Sequence, residues 1–174
     1  APIDCGIDDL HIGGLSHVPC LLAGLTEIGV VSLDEQLLQV EKHIRLTHRN
    51  QHVSEAAAAM TRILYSLREG IDLRKAMDSH AKPWASVGQF DTWTNFSDRT
   101  VIGRHLTMAC YLPESFTASL YLCWKYAEDF SAGILANAHC GGDNCHRGAV
   151  VGALLGAANG VSQEWIKGLI KAPV

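Results

Sequence analysis

From Asn137 the chain reads Asn-Ala-His-Cys-Gly-Gly-Asp-Asn-Cys-His-Arg-Gly, and glycine then recurs at 148, 152, 156 and 160. The first stretch crowds His139, Cys140, Asp143, Asn144, Cys145, His146 and Arg147 around one Gly-Gly turn. Asp143 offers the hard anionic oxygen that magnesium takes into an octahedral shell. Cys145 and His146 are softer donors that suit zinc, iron, copper or nickel better than magnesium. Three readings of the turn are open. Asp143 binds one magnesium ion together with ligands from elsewhere. Or Cys145 and His146, with His139 or Cys140, hold a soft metal such as zinc, although their spacing is not a standard zinc pattern. Or Asp143 only caps the helix that follows, as aspartate often does.

The other residues of the turn carry their own alternatives. A helix N-terminus would acidify the Cys145 thiol. A nucleophile also needs a base within hydrogen-bond reach, which adjacency to His146 does not establish, so a free cysteine is the favoured reading. Asn144 and Arg147 are candidate ligand contacts, since the helix dipole favours anions at this end. A surface salt bridge is the competing role for Arg147. No residue is assigned as catalytic.

The elements that must position this turn are helical. Glycine in a helix costs about 0.8–1 kcal/mol relative to alanine, and a four-residue spacing puts all of them on one ridge. Such a ridge predicts a central helix over 148–160 that another backbone approaches closely. Ser32 with Glu35 reads as a capping box, and Leu33, Leu37, Val40 and Ile44 follow at helical spacing. Further helices are expected over 54–68, 71–80, 100–111, 115–126 and 128–138, with an amphipathic tail over 165–170. Gly70 sits where a C-terminal glycine belongs, and Pro83 stops the third helix. From Trp84 to Arg99 periodicity fails, and this polar-aromatic run is expected to be an ordered loop. Its Trp84, Phe90, Trp93 and Phe96 would pin the loop to the core or, less readily, stack on an adenine. Phe116, Tyr121 and Trp124 read as helix core. The sum is an all-α domain of short helices with short connections.

Three segments together resemble the ADP-ribosylglycohydrolase family, which includes dinitrogenase-reductase-activating glycohydrolases and jellyfish lens J-crystallins. Gly141-Gly142-Asp143-Asn144-Cys145-His146 is similar to the family's Gly-Gly-Asp-Thr-Asp-Ser/Thr turn and leads into a small-residue helix. Leu46-Thr47-His48-Arg49-Asn50, an alanine-rich helix and Glu69-Gly70 resemble its Thr-His segment, and residues 130–137 resemble the helix before the metal turn. The resemblance implies a compact orthogonal helix bundle and hydrolysis of an N- or O-glycosidic ADP-ribosyl linkage, assisted by one or two magnesium ions. It makes Asp143 the expected metal ligand, and ADP-ribose or an ADP-ribosylated protein or small molecule the expected partner.

The departures qualify this. Cys145 and His146 stand where the family has its second aspartate and a hydroxyl, so the second magnesium site is in doubt. His48 matches the Thr-His histidine, but a helix-end histidine with one structural hydrogen bond is favoured. The family's Gly-Asp-Ala-Leu-Gly and Thr-Asp-Asp-Thr motifs are absent, and Asp8-Asp9 lacks the threonines. Residues 1–174 are therefore expected to form a single domain that corresponds to the C-terminal part of the family fold, without its N-terminal helices. Activity would then need the absent part, and exposed apolar surface would favour self-association. The alternative is a catalytically inactive, crystallin-like structural protein or an ADP-ribose-binding module.

Composition excludes other classes. The chain has 174 residues, 48% of them hydrophobic, and a formal net charge of −4. That supports a sizeable core and, with no basic stripe, argues against a nucleic-acid surface. No apolar run is long enough to span a membrane. The six cysteines are scattered through helical stretches, without the density of a small secreted scaffold. They are expected to be mostly reduced and the protein cytoplasmic.

Overall fold

The computed structural model describes residues 5–169. A short 3-10 turn, Ile12–His17, leads into α1 (Val18–Glu27), followed by α2 (Leu33–Ile44), α3 (Gln51–Arg68) and α4 (Leu73–His80). Then come α5 (Val87–Thr94), the single turn α6 (Asp98–Thr100), α7 (Glu114–Lys125), α8 (Phe130–Cys140), α9 (Asn144–Asn159) and α10 (Gln163–Lys167). Among the described residues there is no strand, only the isolated bridges Ile7–His48 and His11–Tyr111. The all-α expectation is met.

Side-chain caps set most of the boundaries. Ser32 Oγ accepts from the Glu35 amide, Asn50 Oδ1 from His52, Asp72 Oδ1 from Lys75 and Asp129 Oδ1 from Ala132. Each cap satisfies a backbone donor that a helix start leaves orphaned, an effect of about 1 kcal/mol. Asn50 moves the start of the alanine-rich helix three residues ahead of the expected Ser54.

Two expectations over 84–111 are corrected. The aromatic run is not a loop: Ser86 Oγ accepts from the Gln89 amide and starts α5. Phe90 and Trp93, one turn apart, are both buried. Phe90 stacks on Trp124 and Trp93 meets Tyr121 edge-on, so tertiary burial makes a helix from a sequence of weak periodicity. Conversely, the helix expected over 100–111 ends early. A π-helical turn, Val101–His105, closes at an extended Leu106, and the chain then runs irregularly to Tyr111. That segment is needed elsewhere, since Cys110 O accepts from the Ile12 amide and Met108 O from the Asp143 amide.

At the centre lies α9, which packs against α8, α7, α3 and the Ile12–His17 turn. Val150, Val151, Leu154 and Leu155 are fully buried. Burial of each contributes about 1.5–3 kcal/mol, more than the helical glycines cost. The glycine ridge faces α8, but side chains rather than a backbone fill it. A Cβ on Gly148 would meet Asn137, one on Gly152 would meet Ile134, and one on Gly156 would meet Phe130. The tightest approach runs the other way, with Leu155 filling the space over Gly133 of α8. A short tail helix forms over Gln163–Lys167, two residues ahead of the expected start and ending before Gly168, while Ile170 lies outside the described residues.

Candidate functional site

The Gly-Gly turn is set by backbone that only glycine adopts freely. Gly141 and Gly142 have φ of 77° and 69°. Any Cβ on Gly142 would collide with the Met108 carbonyl. The Met108 carbonyl also accepts a 3.0 Å bond from the Asp143 amide, which docks the turn on the 106–111 segment.

Arg147 braces the turn from behind. It is 1% exposed. Its Nε donates to Asn137 Oδ1 at 2.7 Å, and its Nη2 to Asn137 O, Gly141 O and Asn144 Oδ1 at 3.1, 2.8 and 3.1 Å. The last carbonyls of α8 form the negative end of a helix dipole, so the buried cation is stabilised without a carboxylate partner. Burial pulls its pKa down, against the opposing pull of Cys140 and Asp143. Sequence reasoning offered Arg147 either to a ligand or to a surface salt bridge. The guanidinium is instead interior, with its Nε and Nη2 engaged by the chain. Asn144 is engaged as well, its Nδ2 donating to Ala138 O at 3.2 Å.

Asp143 caps α9 and does more. Its Oδ1 accepts from the His146 amide at 3.2 Å and from His146 Nδ1 at 2.9 Å. That fixes the ring with the proton on Nδ1 facing the carboxylate. The other oxygen, Oδ2, is buried and has no hydrogen-bond partner. With its side chain only 11% exposed, Asp143 holds one anionic oxygen off the protein's hydrogen-bond network. Such an orphan calls for a physical reason, an unseen water or ion among them.

Polar side chains from distant parts of the chain gather here, His11 against the turn itself and His48 behind it on Gly14. The His11 ring lies edge-to-face on His146 with centroids 4.6 Å apart, and on Tyr111 at 6.0 Å. His11 Nδ1 accepts from the Gly13 amide and Asp9 Oδ1 from the His11 amide, so the segment before the 3-10 turn is ordered by its own side chains. His48 packs its ring over Gly14 and shares a 2.9 Å bond with Thr47 Oγ1. Burial lowers its pKa, the Asp9 charge works against that, and His11 and His17 lower it further. Asp8 accepts from Asn50 Nδ2 at the cap of α3. Sequence reasoning did not place His11 or Tyr111 here, since no local motif links positions about a hundred residues apart.

The remaining candidates stand apart. Cys145 is exposed and Cys140 is buried, and all six cysteines are free thiols. Burial raises the Cys140 thiol pKa most, with Arg147 opposing. His139 instead lines a concavity with Asp98, Arg99 and Tyr126. Among the described residues no three His, Cys, Asp or Glu side chains converge as a metal cluster. No described helix is long and apolar enough to cross a membrane.

A family model described as ADP-ribosylglycohydrolase matches residues 14–172, and so takes in the turn and every helix from α1 to α10. A search of curated proteins finds none that matches the chain.

Proposed function

This chain belongs to the ADP-ribosylglycohydrolase family, and from that premise we propose that it acts on an ADP-ribosyl glycosidic linkage with Asp143 as its metal-binding residue. The substrate would be an ADP-ribosylated protein or small molecule. One observation carries the metal assignment: the buried, unpartnered Oδ2 of Asp143. Magnesium is commonly held by one or two carboxylates, with waters and substrate phosphates completing its shell, and a single aspartate oxygen fits that donor set. A bound magnesium ion would supply Lewis-acid polarisation and orient a water.

The chain's own residues have distinct tasks in this reading. His146 holds the carboxylate by its other oxygen and keeps Oδ2 aimed. Arg147, Asn137 and Asn144 fix the turn that carries Asp143, acting through the backbone rather than on the ligand. His11 and Tyr111 lie beside the turn with groups that can donate to or accept from ribose hydroxyls. Cys145 and His146 do not supply the oxygen ligands of a second magnesium site. A zinc site on Cys145 and His146 would need further ligands from beyond the described residues.

Incubation with an ADP-ribosylated peptide in magnesium, followed by chromatography, should release free ADP-ribose, and chelation should stop the release. Absence of release would overturn hydrolysis. A second reading, ADP-ribose binding without turnover, is favoured by the single carboxylate at the turn. It predicts binding with no release.

A further inference from the structure

On another face of the molecule, α2, α3 and the α4–α5 connection enclose a groove of about 410 Å³, within the range of about 300–1,000 Å³ typical of small-ligand sites. Its floor is the alanine run of α3, Ala58 and Ala59, and one wall is Trp84. The Trp84 and Phe116 rings pack edge-to-face with centroids 4.9 Å apart, which holds Trp84 in place. Ser54 also lines the groove, is 7% exposed, and its buried Oγ has no hydrogen-bond partner among the described residues.

The charges lining this groove are unequally matched. Glu41 pairs with Arg45, and Glu55 with Gln51 and His52. Arg62 is half-buried, and among the described residues no hydrogen bond or ion pair engages its guanidinium. Its charge is felt by His80, whose Nε2 is occupied by Ser66. An Arg fork beside an aromatic wall is suited to a planar carboxylate, which it can bind in bidentate fashion.

We propose that this groove is a second ligand site that takes a small aromatic monocarboxylate, its ring against Trp84 over Ala58 and its carboxylate on Arg62. The site is independent of the ADP-ribosyl reading, because it needs neither magnesium nor the Asp143 turn.

The test is an NMR titration of the 15N-labelled full chain with indole-3-carboxylate and, in parallel, with uncharged indole-3-carboxamide. The carboxylate should produce saturable shifts at the Ala58, Arg62 and Trp84 signals. The carboxamide, and the carboxylate with Arg62→Gln, should each bind about ten-fold more weakly, the worth of one charged hydrogen-bonded pair. No saturable shift up to about 10 mM carboxylate, beyond the millimolar range expected for so small a ligand, would overturn the site. So would equal affinity for the carboxamide, an arm that uses the unaltered protein and does not depend on the folding of a variant.

Discussion

At the scale of single residues, Asp143 and Arg147 sit four positions apart and do opposite work. Asp143 keeps one oxygen unsatisfied, whereas Arg147 satisfies four acceptors at once. Asp143→Asn should leave stability within about 0.5 kcal/mol, because asparagine caps helices as well as aspartate does. Any metal-dependent property should be lost, which urea denaturation and ligand titration together would reveal. Arg147→Met should destabilise by about 3 kcal/mol, since it leaves two backbone carbonyls and two side-chain amide oxygens without this donor. A normal urea midpoint in that variant would contradict the bracing role. The importance of Asp143 was legible in the sequence, because the Gly-Gly-Asp turn is local. The interior place of Arg147 was not, because its acceptors lie on the preceding helix, and a basic residue at a helix start ordinarily faces solvent.

At the scale of elements, the glycines of α8 and α9 separate into two kinds. Gly133→Ala would meet Leu155 head-on and should cost about 1–3 kcal/mol through overpacking. Gly152→Ala would meet only Ile134 at ordinary van der Waals distance, and should stabilise by about 0.5–1 kcal/mol by restoring helix propensity. Thermal denaturation of the pair would show opposite signs. The evenly spaced ridge was visible in the sequence. The more demanding glycine, Gly133, was not, because its partner is a side chain on the next helix. The helices of strong periodicity, α2, α3 and α7, were read within a few residues. The aromatic stretch failed because α5 owes its helix to Trp124 and Tyr121, partners invisible in a local window.

The α6 turn is tied to α7 and its end by one carboxylate. Asp98 accepts from Tyr126 at 2.6 Å, from Tyr121 at 2.7 Å and from Lys125 at 2.7 Å. Burial acts to raise its pKa, but the bonds from Lys125, Tyr126 and Tyr121 outweigh it and hold the carboxyl below its ordinary value. The folded pKa thus lies below the unfolded value of about 3.9. The stabilisation is present above that value and is lost as pH falls through the folded one. Urea denaturation between about pH 5 and pH 2 should therefore show a steeper loss for the natural chain than for Asp98→Asn. Equal slopes would remove Asp98 from the account.

At the scale of the whole molecule, the helices converge on α9 so that its N-terminus is presented where two remote segments meet. The 9–14 segment brings His11, and the 106–111 segment brings Tyr111 and the Met108 carbonyl, with His48 behind them on Gly14. The fold class and the family were legible because motif and periodicity are local signals. The assembly around the turn was not, because it depends on how segments about a hundred residues apart are docked. The measurement that bears most directly on the whole account is calorimetric titration with ADP-ribose, in magnesium and after chelation, for the natural chain and Asp143→Asn. The account predicts binding by the natural chain in magnesium, its loss on chelation, and none by the variant in either condition. Binding that survives both chelation and Asp143→Asn, or no binding by the natural chain in magnesium, would contradict the assignment of Asp143 as the metal-holding residue of an ADP-ribose site.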